Sequence, residues 1–391
     1  MRADGSEIRG ALTVTFAART AANTALRLVY PFLPAIARGL GVTPDALSAF
    51  VALRNLGGLA TPAAARASER YGRRLVMVAA MGMVAVGCTL TAVGSPFTIV
   101  GIGIVAVGIA KPAFDISMQA WFGDRVPYRE RGRVFGITEL TWSAALLLIV
   151  PAGYLIAVTD WRVPFAIVGV AAAAGAVAIG RGLSSDAPST PSTGKLALTA
   201  PRLRALGAVL LFTAAAENTF IVYGQWLEGS FGLTVTSIGA FTLVLVVAEV
   251  VGEGLVTAFA DRWGLRRCVL GGLVTSGVAY LALGATGSAL VAAASVVAVW
   301  IAAFEVTIVA AIPLVTGLTE VARDRLLSLL AMTIALGRAV GAVTGQRLFD
   351  AGGIGAVGSA SAAIVGLSAV LLFVLEEPDA PSMESDRARL K

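Results

Sequence analysis

The sequence has no histidine and only two cysteines among its 391 residues. The missing histidine excludes a histidine-ligated metal, a histidine general base and a histidine proton relay. Cys88 and Cys268 fall in different halves of the chain, so neither a disulfide nor a cysteine metal site is expected. A Gly-Lys-Ser/Thr phosphate-binding loop is also missing, which argues against ATP as the energy source. We therefore expect no cofactor, no bound metal and no enzymatic activity.

Charge is scarce as well, since only 14% of the residues are charged while 57% are hydrophobic. The mean hydropathy of +0.84 is that of an integral membrane protein. Runs long enough to cross a bilayer as helices cover residues 11–37, 45–66, 75–95, 97–121, 134–157, 162–181, 205–227, 237–259, 268–287, 290–315, 327–349 and 353–375. The sequence therefore predicts an all-α membrane protein with twelve transmembrane helices.

Arginine and lysine are concentrated in one set of the loops between these runs. The other set carries only Arg38, Arg162 and Arg347. Because cytoplasmic loops have an excess of basic residues, we expect a bacterial-type cytoplasmic membrane protein with both termini in the cytoplasm and no removable signal peptide. The net charge of +6 is scattered over many short loops, so no nucleic-acid partner is expected.

A short charged turn occurs twice in the chain. Residues 69–74 end the second hydrophobic run of the first half, and residues 261–267 end the corresponding run of the second half, 192 positions later. A turn repeated at half-length separation indicates two homologous units. The predicted division is a six-helix bundle over 1–183, a linker rich in Pro, Ser and Thr over 184–204, a second six-helix bundle over 205–375 and a polar tail over 376–391.

The repeated turn fits a known pattern, Gly-x-x-x-Asp-Arg-x-Gly-Arg-Arg/Lys, over residues 65–74, and its second copy keeps Asp261, Arg262 and Gly264. With these turns the chain resembles the major facilitator superfamily of secondary transporters. Residues 30–34 and 126–133 are most similar to its bacterial drug and small-molecule exporters, which are coupled to protons. The resemblance implies two six-helix bundles in which spans 3, 6, 9 and 12 face lipid and the other eight line a central cavity. We expect the chain to work as a monomer.

Ionisable side chains inside the predicted spans all lie on those eight cavity helices. Each one costs at least ~2.5–3.5 kcal/mol in the bilayer, so each marks a water-filled cavity or a charged partner. Together with one tryptophan they give the candidate proton-binding or substrate-binding residues: Arg27, Arg54, Asp115, Glu139, Trp142, Glu217, Glu249, Glu253, Glu305 and Arg338.

Glu217, Glu249 and Glu305 lie near the middle of their spans, opposite an equal number of mid-span arginines. An acid whose arginine partner changes between two conformations is a simple proton switch. We expect one of these acids to bind the coupling proton or a cationic substrate. Static ion pairs between the halves are the alternative. Asp115 follows Lys111 by one helical turn, which favours a structural pair.

Trp142 and Trp300 lie mid-span rather than at a membrane interface, where most tryptophans are found. Each can stack on an amphipathic or cationic substrate, but buried packing is the favoured interpretation.

The resemblance also implies that the repeated turns latch the outward-facing conformation. In that role a carboxylate of each turn caps a helix N-terminus of the opposite half. The candidate latch residues are Glu69, Gly72, Arg73, Asp261, Gly264 and Arg266.

The function favoured at this point is proton-coupled efflux of a small amphipathic molecule by alternating access, with the substrate, protons and the lipid bilayer as partners. One alternative is proton-coupled or facilitated uptake of a small metabolite, an anion being the case that Arg27, Arg54 or Arg338 would suit. A non-transporting membrane sensor or scaffold is the alternative from a different class.

Overall fold

The computed structural model describes residues 5–185, 197–319 and 323–374. Most of the predicted linker and the whole of the predicted tail lie outside these residues. The first half contains α1 (Gly5–Arg27), α2 (Val29–Leu40), α3 (Pro44–Asn55), a 3-10 helix (Leu56–Ala60), α4 (Thr61–Tyr71), α5 (Arg73–Val93), α6 (Phe97–Arg125), α7 (Tyr128–Val158) and α8 (Arg162–Gly182). The second half contains α9 (Ala200–Phe231), α10 (Val235–Trp263), α11 (Leu265–Leu283), α12 (Leu290–Thr316) and α13 (Arg323–Phe373).

The first predicted span is two helices rather than one. α1 ends at Arg27 and α2 begins at Val29. Pro31 explains the break, because it has no N–H to donate to the carbonyl four residues earlier and its ring crowds that carbonyl. The break leaves Arg27 at the end of a helix in the middle of the crossing.

The second predicted span is also interrupted, by the 3-10 helix between α3 and α4. Two glycines of this segment touch other helices: Gly57 lies against the α6 backbone and Gly58 against Ala335 of α13. Pro62 cannot donate to the Gly58 carbonyl, which accepts instead from the Thr61 hydroxyl at 2.6 Å. The interruption therefore occurs where a helix of each half meets this segment.

The last two predicted spans form α13, which reverses direction at Gly352 and Gly353. Gly353 has φ = 63°, a left-handed conformation that favours glycine. Before the reversal, Gly337, Gly341 and Gly345 lie directly against the α9 backbone. The missing side chains let these two helices approach closely.

The all-α prediction is confirmed, and the described chain crosses the predicted membrane twelve times, counting α1–α2, α3–α4 and each limb of α13 as single crossings. Among the described residues, eight helical segments are long and apolar enough to span a bilayer by themselves: 73–93, 97–125, 133–158, 162–182, 200–231, 235–263, 290–316 and 325–373. We call the side where α1 begins the near face and the opposite side the far face.

Each half packs as its own bundle, with α1 against α7 and α8, and with α9 against α13. The halves meet mainly where α7 packs against α10, where α3 and the 3-10 helix pack against α13, and where α2 packs against α9. Cys88 and Cys268 are both buried, unpaired and in separate bundles.

Candidate functional site

A cluster of polar side chains joins the two halves at mid-depth, with Glu217 of α9 at its centre. Glu217 is fully buried, with 0% of its surface exposed. Its Oε1 accepts hydrogen bonds from the Tyr30 hydroxyl at 2.7 Å and from Asn55 Nδ2 at 2.9 Å. Its Oε2 pairs with Arg338 Nε at 2.9 Å. We call Tyr30, Arg54, Asn55, Glu217 and Arg338 the central clamp.

Tyr30 uses its whole hydrogen-bonding capacity within the central clamp. Its hydroxyl donates to Glu217 and accepts from Arg54 Nη2 at 2.6 Å and Arg338 Nη2 at 2.8 Å. A phenol has one donor and two acceptor positions, so none is left over. The Arg54 guanidinium also lies over the Tyr30 ring, 4.8 Å from its centre. The phenol of Tyr30 therefore connects one arginine of each half to the buried carboxylate of Glu217.

Further contacts between the halves lie toward the far face. Arg38 Nη1 pairs with Glu228 Oε1 at 2.8 Å between α2 and α9. Gly153 of α7 lies against Gly239 of α10, where an added Cβ would be 3.1 Å from the opposite Cα. Nearby, the Thr242 hydroxyl lies 3.4 Å from the carbonyl of Leu146. These contacts close the seam between the halves on the far side of the central clamp.

A second cluster surrounds Arg27, at the end of α1. Arg27 Nη2 pairs with Glu249 Oε1 of α10 at 2.8 Å, which is a second mid-depth link between the halves. The Arg27 guanidinium lies 5.0 Å from the centre of the Trp142 ring, and Lys111 Nζ lies 4.8 Å from the same centre. Trp142 is thus a cation-binding surface shared by two helices of the first half.

Glu305 of α12 lies beside this second cluster. Within the described part of the chain it has no hydrogen bond and no ion pair, and the charges that act on it most strongly are those of Glu249 and Arg27. Its Cβ packs against Gly252 of α10, at 2.6 Å from the position of an added Cβ. Glu253 lies next to Gly252 and is partly exposed. Neither Glu253 nor Glu305 forms an ion pair with a basic side chain within the described residues.

A third cluster, within the first half, lies closer to the near face. Arg19 Nε pairs with Asp115 Oδ1 at 3.0 Å, and Arg19 Nη1 pairs with Glu139 Oε1 at 3.0 Å. Lys111 pairs with the other oxygen of Asp115, one helical turn away. Asn23 Nδ2 continues the network to the Thr141 hydroxyl at 3.0 Å. Asp115 is therefore neutralised by two cations of its own half.

Acids outnumber bases in the second and third clusters taken together. Three bases, Arg19, Arg27 and Lys111, face five acids, Asp115, Glu139, Glu249, Glu253 and Glu305. An uncompensated carboxylate at membrane depth is costly unless a proton or another cation neutralises it. The arrangement is therefore suited to taking up protons or a positively charged molecule.

The two mid-span tryptophans differ in their surroundings. Trp300 is 1% exposed and packs among Phe220 and Tyr280 inside the second half. Trp142 is only partly buried and carries the two cations described above. Of the two, only Trp300 has the buried packing that the sequence favoured for both.

The repeated turns lie at the near face, between α4 and α5 and between α10 and α11. Gly72 and Gly264 have φ = 91° and 80° where the chain reverses. Arg73 pairs with Asp124, and Arg266 donates to the carbonyl of Phe373. The carboxylates of these turns, at positions 69 and 261, make no hydrogen bond or ion pair within the described residues. The latch between the halves therefore stays a prediction.

Sequence reasoning did not select Tyr30, Asn55 or Arg19 as site residues. Tyr30 belongs to the segment 30–34 noted above and recurs as Tyr223, 193 positions later, and its place one turn after Arg27 was the available signal. Asn55 follows Arg54 directly but carries no charge, so the search for ionisable groups passed over it. Its contact with Glu217 depends on how the two halves pack.

Comparison with known proteins identifies the fold. A profile of the Major Facilitator Superfamily matches residues 14–210 and again 205–389. Two relatives from Bacillus subtilis (strain 168) are named uncharacterized MFS-type transporters. YwfA is 27% identical over 157 residues, and YceJ is 24% identical over 156 residues. The chain spans about two fifths of the length of each, with 38% and 40% of the relatives covered, as against 40% and 38% of this chain.

Solved structures resemble the chain over nearly all of its length. A bacterial homolog of the human lysosomal transporter Spinster, in an inward-facing and occupied conformation, has a TM-score of 0.77 at 13% identity, with 95% of this chain and 97% of that chain covered. A D-xylose-proton symporter has a TM-score of 0.75 at 14% identity over 95% and 98%. The human organic anion transporter MFSD10 has 0.68 at 17% identity over 93% and 99%. At these identities the likeness concerns the fold.

Proposed function

This chain belongs to the Major Facilitator Superfamily, and from that premise we propose that it is a secondary transporter working by alternating access. The proposed activity is export of a small amphipathic molecule in exchange for protons. The surplus of acids over bases around Arg27 and Trp142 supports it, because such a cavity accepts either protons or a cationic group. Trp142 adds an aromatic surface for the apolar part of the substrate.

The observation that carries the proposal is the position of Glu305. It lies in the middle of α12, beside the Arg27–Glu249 ion pair and without a basic partner among the described residues. If Glu305 is the protonated acid and Arg27 moves to it from Glu249, Glu305 releases its proton, Glu249 takes one up, and the ion pair that Arg27 forms with the second half moves from α10 to α12. Such an exchange couples proton binding to the relative movement of the bundles.

We infer that this conformation is open at the near face. The contacts between the halves run from the central clamp to the Arg38–Glu228 pair at the far face, and the solved neighbour with the highest TM-score quoted above is inward-facing. With the near face cytoplasmic, as the loop arginines indicate, substrate enters from the cytoplasm. Glu69 and Asp261 would then engage the opposite half when the near face closes, which is the latch that the family resemblance implies.

The proposal is tested in proteoliposomes that carry a pH-sensitive dye and an imposed pH gradient. Lipophilic cations, neutral drugs and small metabolites are offered in turn. An exporter of this kind moves its substrate in the direction opposite to the protons. Adding substrate therefore changes the lumenal pH, and the sign of that change gives the direction of proton movement relative to the substrate. In Glu305→Gln, the substrate-dependent pH change is expected to disappear while substrate binding persists, since the glutamine keeps the shape but cannot carry a proton.

Glu228→Gln is the matched control, because Glu228 is an acid of the far-face pair and is one third exposed at 34%. It should leave the pH change intact. Equal proton movement in wild type and Glu305→Gln would show that this acid is not the proton carrier. If no substrate moves in any gradient, the sensor or scaffold interpretation replaces transport.

A second candidate function is uptake of a small anionic metabolite. Two observations favour it: Arg27 Nε is buried without a hydrogen-bond partner, and the Arg338 side chain is 35% exposed. A carboxylate or phosphate could occupy both positions only by displacing part of the present ion pairs. In the same liposomes, substrate and protons would then move in one direction, which reverses the sign of the pH change.

A further inference from the structure

An apolar groove of about 420 Å³ opens on the outside of the second half, away from the central clamp. We call it the α9–α13 groove. Its floor is α9, from Leu210 to Ala214, and its walls are the two limbs of α13, with Val340, Thr344 and Leu348 on one side. Its volume lies within the range of ~300–1,000 Å³ that is usual for ligand sites.

One charged residue, Arg347, lines this apolar groove. Arg347 follows Arg338 by nine positions on the first limb of α13. At ~3.6 residues per turn, nine residues make about two and a half turns, so the two side chains leave the helix on opposite faces. Arg338 points to the central clamp, and Arg347 therefore points outward, where its side chain is exposed.

The guanidinium of Arg347 has no ion pair within the described residues. The nearest acid along the helix, Asp350, instead accepts a hydrogen bond from Gln346 Nε2 at 2.9 Å. The helix reverses at Gly352, so the Cα of Arg347 lies roughly 7–8 Å below the far-face turn. At this depth an arginine extends its charge to the headgroup layer, where phosphates are the available anions.

From this geometry we propose that the α9–α13 groove binds one phospholipid of the far-face leaflet. Its phosphate pairs with Arg347, and an acyl chain lies along Leu210, Ala214 and Leu348. The exposed cation matches the phosphate of a phospholipid, and the apolar groove matches its acyl chain. A soluble anion would leave the apolar groove unused, and a plain hydrocarbon would leave Arg347 without an anion. A lipid in this position packs behind α9 and the first limb of α13, the helices that carry Glu217 and Arg338.

The experiment compares lipid retention in wild type, Arg347→Gln and Leu211→Trp. Each protein is extracted from vesicles of phosphatidylcholine and phosphatidylglycerol, washed in mild detergent and analysed by native mass spectrometry. Wild type should retain one phospholipid. Arg347→Gln should lower its occupancy about tenfold, the loss of one charge-assisted hydrogen bond. Leu211→Trp should lower it by filling the groove, with the arginine untouched.

Arg162→Gln is the control, because Arg162 is another far-face arginine but already has protein partners, Asp160 and the carbonyl of Gly94. It should retain lipid like wild type. Circular dichroism confirms that every variant is folded. Equal lipid retention in wild type and Arg347→Gln would overturn the proposal. Retention of inorganic phosphate in place of a phospholipid would also overturn the proposal, since it would show that Arg347 binds a free anion.

Discussion

Replacing Tyr30 with phenylalanine tests whether the central clamp holds the far face closed. The change removes one hydroxyl and keeps the ring, so it deletes the hydrogen bonds to Glu217, Arg54 and Arg338 at 2.7, 2.6 and 2.8 Å without leaving a cavity. A hydrogen bond to a charged group contributes ~1.5–3 kcal/mol. Water can replace the phenol at Arg338, whose side chain is 35% exposed, but not at the buried Glu217.

We therefore expect the closed far face to lose about 2–4 kcal/mol relative to the open one. At about 1.4 kcal/mol per tenfold change, this corresponds to a shift of roughly 30- to 700-fold toward far-face opening. Opening of the far face separates Tyr30 from Glu217, since the two residues lie in different halves.

The assay places a cysteine at Ala37 of α2, which is 1% exposed in this conformation, after replacement of Cys88 and Cys268. A membrane-impermeant maleimide added from the far side reports opening. Tyr30→Phe should accelerate labelling strongly. Tyr223→Phe is the matched control, since it is the equivalent tyrosine of the second half and its hydroxyl forms no hydrogen bond within the described residues. Unchanged labelling in Tyr30→Phe, or equal acceleration in Tyr223→Phe, would refute the role of the clamp.

Two further predictions concern packing and the far-face ion pair. In Gly345→Ala the new Cβ would lie 2.5 Å from the α9 backbone, so thermal unfolding in detergent should show a loss of about 1–3 kcal/mol, whereas Gly366→Ala, with no atom within 4 Å, should be neutral. Arg38→Gln should change stability by no more than ~1 kcal/mol, because Arg38 and Glu228 are 58% and 34% exposed and water screens the pair. A large loss of stability in Gly366→Ala, or a large and salt-dependent loss of stability in Arg38→Gln, would contradict these expectations.

The sequence predicted the number of crossings, because that number follows from hydropathy along each helix. It could not predict the partners. Arg27, Arg54 and Arg338 were matched in number to three acids, but within the described residues only Arg338 and Arg27 form ion pairs, with Glu217 and Glu249. Arg54 reaches Glu217 through the Tyr30 hydroxyl. Which acid meets which base depends on the distance and rotation between helices far apart in the chain, and a hydropathy pattern contains neither.

The breaks in the first two crossings were also missed. Their signals were present as Pro31 and as the pair Gly57 and Gly58, but a proline or glycine in a membrane helix is often accommodated without a break. Here the break at Leu28 follows from the proline, and the 3-10 segment follows from packing against α6 and α13. Only the helices packed around these residues distinguish an interrupted helix from a continuous one.

The internal repeat explains why Glu305 has no ion pair within the described residues, whereas Asp115 pairs with two basic side chains. The two acids follow equivalent phenylalanines, 190 positions apart, so they occupy corresponding places in α6 and α12. At the same offset Lys111 corresponds to Ile301.

Arg19, the other cation on Asp115, corresponds to Phe212 by the 193-position offset that relates Tyr30 to Tyr223. Phe212 packs edge-on against Phe304, with ring centres 6.3 Å apart. The second half thus has an acid at the corresponding position and apolar side chains at the positions of both cations. An acid held permanently in an ion pair cannot exchange a proton during a transport cycle. Because the second half has apolar side chains at both of these places, we expect its acid, Glu305, to be the one that exchanges a proton.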